Sequence, residues 1–175
     1  MPDTFRLTEY LERIGIEGPV KPDLATLTAI HAAHVDAIPF EALDPFLGRP
    51  VNLDLVDLQE KILRNRRGGY CFEQNTLLKA ALEAIGFSVT GLAGRVRWMA
   101  PPDSPLGPRT HLLLRIELPE GPYLADVGFG HLTPTAPLIL ARDQPQPTEH
   151  EDYRLRPSGS ETLLQVRLEI GRAHV

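Results

Sequence analysis

Arg67-Gly68-Gly69-Tyr70-Cys71-Phe72-Glu73-Gln74-Asn75 is the stretch from which the rest of the chain can be read. Two glycines bring the backbone sharply into a helix. Its apolar stripe runs on through Leu77, Leu78, Ala81, Leu82 and Ile85, with Gly86 as its C-cap. The helix opens at the only cysteine of the chain. N–H groups of a first turn have no intrahelical partner and carry the positive end of the helix dipole, a field that favours thiolate over thiol. The same donors suit the oxyanion formed when a thioester carbonyl is attacked. Glycines at 68 and 69 let backbone approach a reacting group with no Cβ in the way. The competing reading of a free cysteine is a small buried hydrophobe, so the surrounding residues have to decide.

Upstream of this segment the apolar period is helical. Thr8 is placed to cap a helix carrying Tyr10, Leu11 and Ile14 and ending at Gly15. Asp23 caps a second, with Leu24, Leu27, Ile30, His31, His34, Val35 and Ile38 on one stripe and Pro39 as the stop. Leu55, Leu58 and Ile62 mark a third, with Asp54 as its cap. Downstream the period changes. Residues 89–98, 111–118, 123–127 and 162–170 read as strands, the last alternating Leu164, Val166, Leu168 and Ile170 with polar neighbours. Two polar or proline-rich loops, 99–108 and 142–152, lie between them. The expected class is α+β. A helical bundle over residues 1–86 carries the cysteine, and an antiparallel sheet or barrel follows over 87–175.

Length and charge narrow the function. The 175 residues suffice for one large domain or two small ones. A net charge of −5, with no basic cluster beyond residues 64–67, argues against a nucleic-acid partner. No apolar run is long enough to span a bilayer, and residues 1–10 lack a signal-peptide core, so the expected location is cytoplasmic. One cysteine excludes an internal disulfide and a cysteine-rich metal site.

A nucleophilic cysteine needs a base, and the base needs an orienting group. Of six histidines, His31 and His34 sit on the apolar side of the second helix and read as core residues with a backbone partner. His150 and His174 fall in a polar loop and a terminal tail, and His131 follows a glycine turn, either beside a site or merely exposed. His111 opens a strand with an apolar body, which holds a side chain firmly while its tip faces a cleft. Asp126, in Ala125-Asp126-Val127, lies in apolar company where a carboxylate requires a partner. It also fits a plainer role as a turn acid before Gly128.

At this point the chain resembles the arylamine N-acetyltransferases. The segment 67–75 is similar to the signature around their nucleophile. Four more segments agree in order: Tyr10-Leu11-Glu12-Arg13-Ile14-Gly15, Ile38-Pro39-Phe40-Glu41, Thr110-His111-Leu112-Leu113-Leu114, and Tyr123-Leu124-Ala125-Asp126-Val127-Gly128-Phe129-Gly130. The resemblance runs from about Phe5 to about Arg156. It implies Cys71 as nucleophile, His111 as base and Asp126 as orienter. It implies a papain-like cysteine core in a helical bundle, then a β-barrel, then an α/β lid domain. The implied reaction is ping-pong acetyl transfer from acetyl-CoA, a co-substrate rather than a tightly bound cofactor, to an arylamine or arylhydrazine.

By the same resemblance Phe40, Val96 and Phe129 would line the acceptor pocket, although apolar strand residues also read as core. Thr110, Gly128 and Gly130 would flank the entry of the pantetheine arm, and Arg67 and Glu41 would form an ion-paired support. Two features depart from the family. Ala42 stands where asparagine is usual, and the chain stops at Val175, before the expected remainder of the barrel and the lid. Residues 171–175 look foreign, and an unpaired barrel edge implies self-association. Without a lid the resemblance implies a bias to acetyl-CoA hydrolysis. Cys–His–Asp order alone also admits a cysteine hydrolase, an amide synthase, or a non-catalytic module that binds CoA or aromatic ligands.

Overall fold

The computed structural model describes residues 5–101, 103–140 and 143–168. Helix α1 spans Leu7–Ile14 and closes on Gly15, whose φ of 72° is the left-handed conformation of a helix C-cap. It begins one residue before Thr8, because the Arg6 N–H is taken by Gln59 Oε1 at 2.7 Å, a tie from across the fold that no local pattern reveals. Helix α2, Leu24–Ala37, is capped as expected by Asp23, which accepts the Thr26 N–H at 2.9 Å. After a short turn, α3 (Leu43–Phe46), comes α4, Leu55–Leu58, which widens directly into a π-helical stretch over Gln59–Arg64. Asp54 stands at the N-cap of α4 but caps nothing with its side chain. Helix α5 runs Cys71–Ile85 and ends on Gly86.

Two antiparallel sheets follow. Strands β1 (Ser88–Gly94), β2 (His111–Leu118), β3 (Gly121–Ala125) and β4 (Leu138–Ile139) pair in that order. Strands β5 (Gln146–Pro147), β6 (Asp152–Ser158) and β7 (Glu161–Arg167) form the second sheet. The fold is α+β, but the expected barrel is not closed: among the described residues no ladder joins the sheets. Strands β4 and β5 are two residues long and sit among Pro134, Pro137, Pro145 and Pro147, which cannot extend a ladder. A side chain does that work. The Gln146 amide accepts from Ile139 N at 2.7 Å and donates to Ile139 O at 3.0 Å, standing in for a strand partner.

Strand β1 also ends before the expected 98, where Arg95 and Arg97 bond the carbonyls of Gly107 and Ser104 and the chain curls away. Strand β7 stops at Arg167, and Leu168 beyond it is exposed. The expected end at Ile170, and residues 171–175, lie outside the described residues. No helix among the described residues is long and apolar enough to cross a membrane.

One apolar core crosses the helix–sheet boundary. Tyr10, Leu27, Ile30, Leu78 and Leu82 from the helices pack with Leu114 and Ile116 of β2, all fully buried. A smaller cluster, Leu124, Leu138, Tyr153 and Leu155, fills the space between the sheets. Truncating Leu78 to alanine leaves a cavity at the centre of the larger core. Guanidinium unfolding of Leu78→Ala is expected to lose about 2–5 kcal/mol, and a loss below about 1 kcal/mol would contradict this placement.

The core also contains two neutral histidines. Burial pushes the His31 imidazole from 6.5 down to about 4 and the His34 imidazole down to about 3. Below 6.5 the unfolded chain binds both protons and the native chain does not. Their stabilisation is therefore complete above 6.5 and is lost as pH falls towards 4 and 3, at up to ~1.4 kcal/mol per group per pH unit. Unfolding free energies measured through this window are expected to fall with acid, and to fall less steeply in His34→Gln.

Candidate active site

The turn before α5 is made by two close backbone approaches. Gly69 N donates to Pro39 O at 3.3 Å and Glu41 N donates to Gly69 O at 3.1 Å, pairing the segment around Phe40 with the one preceding Cys71. A Cβ on Gly68 would lie 1.9 Å from Pro39 O, so only glycine fits there. Tyr70 is extended, with ψ of −176°, and the helix starts at Cys71. The thiol is buried, 8% exposed, and faces the Thr110 carbonyl with Sγ 3.8 Å from the oxygen.

Strand β2 supplies the next group at its first residue. His111 Nε2 lies 2.5 Å from Asp126 Oδ2. Cys71 lies beside the same ring, its Sγ facing the carbonyl of Thr110, the residue before His111. Burial opposes a charge on this ring, but the hydrogen bonds and charges of Asp126 and Cys71 outweigh it and raise the imidazole from 6.5 to about 9. The ring of Phe129 meets it edge-on, with centroids 5.2 Å apart.

Asp126 follows β3 and is 2% exposed. Its Oδ1 accepts from Asn75 Nδ2 at 3.0 Å and from Gly128 N at 2.9 Å, so both oxygens are engaged. Asn75 also donates to Leu112 O at 2.8 Å and accepts the Val127 N–H at 3.2 Å, tying α5 to β2 and to the turn after β3. The Asp126 N–H points to His31 Nε2 at 3.3 Å. Gln74, next to Asn75, accepts from His34 Nε2 at 3.1 Å and donates to Gly69 O at 2.8 Å. Because Nε2 of His34 donates, its Nδ1 accepts from the Tyr10 hydroxyl at 2.9 Å.

His31 is the core residue with a backbone partner that the sequence suggested, while His34 finds side-chain partners instead, and roles for Gln74 and Asn75 were not read from the sequence. A signal for the last two existed. They continue the Leu78 and Leu82 stripe of α5 towards its N-terminus, and polar residues on a buried stripe must find partners.

The structure thus brings Cys71, His111 and Asp126 together. Beside them lies a cavity of about 410 Å³, whose walls include His111, Phe129, Val96, Trp98 and Leu113. Phe40 is not among its walls. It stands half-exposed against Gly130, with ring carbons 3.8 Å from where a Cβ would project. Thr110 is exposed at the strand entry, and Val96 is 47% exposed at the rim. Arg67 pairs with Glu41 at 2.7 Å and with Asp44 at 2.9 Å, below the turn that leads to Cys71. Among the described residues no cluster of His, Cys, Asp and Glu could hold a metal ion.

Gly128 lets the turn after β3 reach the start of α5. A Cβ there would sit 2.7 Å from Cys71 Cα, a backbone atom that cannot give way. Gly128→Ala should therefore displace Cys71 from His111. Its alkylation by iodoacetamide is expected to slow by about tenfold or more at unchanged helix content. A wild-type alkylation rate would contradict the close approach.

A family model described as N-acetyltransferase matches residues 23–172. An arylamine N-acetyltransferase of Mycolicibacterium smegmatis is 50% identical over 162 residues, covering 91% of this chain and 59% of that protein. The solved arylamine N-acetyltransferase of Mycobacterium marinum matches with a TM-score of 0.90 and 46% identity, over 93% of this chain and 61% of that one. A structure of the Mycobacterium marinum enzyme in complex with CoA matches with a TM-score of 0.88 and 47% identity, over 92% and 60%. The chain spans about three fifths of the length of these relatives. With matches of this extent over both the helices and the sheets, the chain belongs to the arylamine N-acetyltransferase family.

Proposed function

We propose that this chain carries the acetyl-transfer centre of an enzyme that moves an acetyl group from acetyl-CoA to the nitrogen of an arylamine or arylhydrazine, through an acetyl-Cys71 intermediate. The observation that carries this reading is the meeting at His111 of the buried Asp126 carboxylate, which its Nε2 contacts, and of Cys71, whose Sγ faces the adjoining Thr110 carbonyl. The family supports the choice of substrates, and the Mycobacterium marinum complex with CoA supports the donor.

In the first half-reaction His111 holds the proton of Cys71, and the thiolate attacks the thioester carbonyl. First-turn N–H groups of α5 face the developing oxyanion. The carbon–sulfur bond to CoA breaks, and CoA leaves as its thiol with the proton from His111. A thioester has replaced a thioester, so the step is nearly balanced. In the second half-reaction the amine nitrogen attacks acetyl-Cys71. Its proton passes to His111, the carbon–sulfur bond breaks, and Cys71 is regenerated while a stable amide departs. Asp126 fixes the ring through both halves and stabilises the imidazolium.

The helical part through Gly86 supplies the nucleophile, and the sheets supply His111 and Asp126, with Phe129 and Val96 as walls for the aromatic acceptor. Val96 at the rim of the cavity is about half exposed, so water can compete with the amine for the intermediate.

Intact mass after brief mixing with acetyl-CoA tests the nucleophile. One added acetyl group is expected, absent in Cys71→Ala and formed about 10³-fold or more slowly in His111→Ala. Unchanged acetylation of Cys71→Ala would end the proposal. Release of CoA without any amine is expected from water attack, and strict dependence on an arylamine would contradict the open rim.

A further inference from the structure

Beneath the turn that leads to Cys71 lies an ion-pair cluster centred on Lys61, and the reaction as described makes no use of it. Lys61 stands in the π-helical stretch, where one widened turn carries Ile62 and Leu63 into the core and leaves the lysine facing α5. Its ammonium meets Glu73 Oε1 at 2.6 Å and Asp44 Oδ2 at 2.8 Å, with the side chain only 14% exposed. Glu73 is more deeply placed, its side chain 2% exposed. Among the described residues Lys61 is the one cation paired with it.

The other oxygen of Glu73 points back along the helix. Oε2 accepts the Tyr70 N–H at 3.1 Å, which caps the residue immediately before Cys71. Gly69 makes room for this return: a Cβ there would fall 2.8 Å from Glu73 Cβ and 3.1 Å from Oε2. The two oxygens of one carboxylate therefore have separate tasks. One is anchored by the lysine, and the other holds the entry of the nucleophile helix.

We propose that Lys61 is a positioning residue for Cys71, acting through Glu73, whose anchored carboxylate sets the backbone from which the thiol is presented. Burial disfavours the charge on Lys61, but its hydrogen bonds to Asp44 and Glu73 prevail and raise its pKa, so the anchor stays charged throughout the working range. Loss of the ammonium leaves a buried carboxylate without a counter-charge. Glu73 must then turn towards water, which releases the Tyr70 N–H. A neutral glutamine at 73 makes no such demand and can still accept that N–H through its amide oxygen. The effect of removing Lys61 is thus conditional on the charge at 73.

The inference rests on Cys71 being the reacting group, not on acetyl-CoA being the donor. The test accordingly measures iodoacetamide alkylation of Cys71 as a function of pH in the 175-residue chain, with no acetyl-CoA present. Lys61→Met is expected to slow alkylation about tenfold and to displace its pH profile. Glu73→Gln alone, which loses the anchored carboxylate, is expected to slow it as well, and the double variant should react no more slowly than Glu73→Gln. A wild-type profile for Lys61→Met, or the same loss in both backgrounds, overturns the proposal.

Should Lys61→Met fail to fold, Lys61→Arg carries the decision, since it keeps the charge but moves the donors. A displaced profile is expected, and a wild-type profile overturns the proposal. Acetyl-CoA turnover measured on the same variants separates the two readings. Alkylation that follows the expected pattern with no acetylation in any variant would sink acetyl transfer and leave the role of Lys61 standing.

Discussion

A carboxylate removed from water is the constraint around which this fold is organised. Asp126 is 2% exposed, and burial of an unpartnered carboxylate would cost several kcal/mol. Every element near it contributes to meeting that cost. The imidazole of His111 arrives from the start of β2, the amide of Asn75 from α5 and the N–H of Gly128 from its own turn. Through its backbone N–H it also reaches His31 on α2. These contacts lie along the seam of helices and sheet that the large core, from Tyr10 to Val127, also spans. The charge that makes docking exacting is the charge that raises the His111 imidazole to about 9.

Around this centre the polar residues of the interior form two kinds of support. Neutral groups fix direction: Tyr10, His34 and Gln74 hand one hydrogen bond to the next until it ends on the Gly69 carbonyl. Charged groups fix position, as Arg67, Glu41 and Asp44 do below the same turn. Three consecutive side chains of α5, Glu73, Gln74 and Asn75, point to three different neighbours, so the first turn of the helix is held from several sides. Rigid support of this kind would hold the Cys71 thiol within the small tolerance that the proposed chemistry requires.

The parts of this architecture legible in the sequence are those governed by local chemistry. Asp23 and Gly86 bound their helices because a cap is decided by one or two residues. The span 111–118 is strand from end to end because its apolar body leaves no alternative period. What stayed hidden depends on distant groups. The start of α1 is set by Gln59, and the link between the sheets is the Gln146 amide rather than a ladder, so no barrel closes among the described residues. Strands β4 and β5 are too short and too rich in proline to show a period. At the site, the motif pointed to Cys71, His111 and Asp126, but which groups orient Asp126 depends on contacts 51 and 95 residues away in the chain. Phe40 was expected in the acceptor pocket and stands outside the cavity, because its segment pairs with Gly69 and turns the ring towards Gly130.

On the proposed mechanism His111, pinned by a buried carboxylate, holds a proton beside the sulfur at neutral pH. Nitrogen-15 NMR of the labelled imidazole, followed as a function of pH, tests it most directly. Two protonated ring nitrogens are expected at pH 7, with a strongly deshielded Nε2 proton facing Asp126 and deprotonation near 9. A ring that is neutral at pH 7 and titrates near its ordinary value of 6.5 would contradict it.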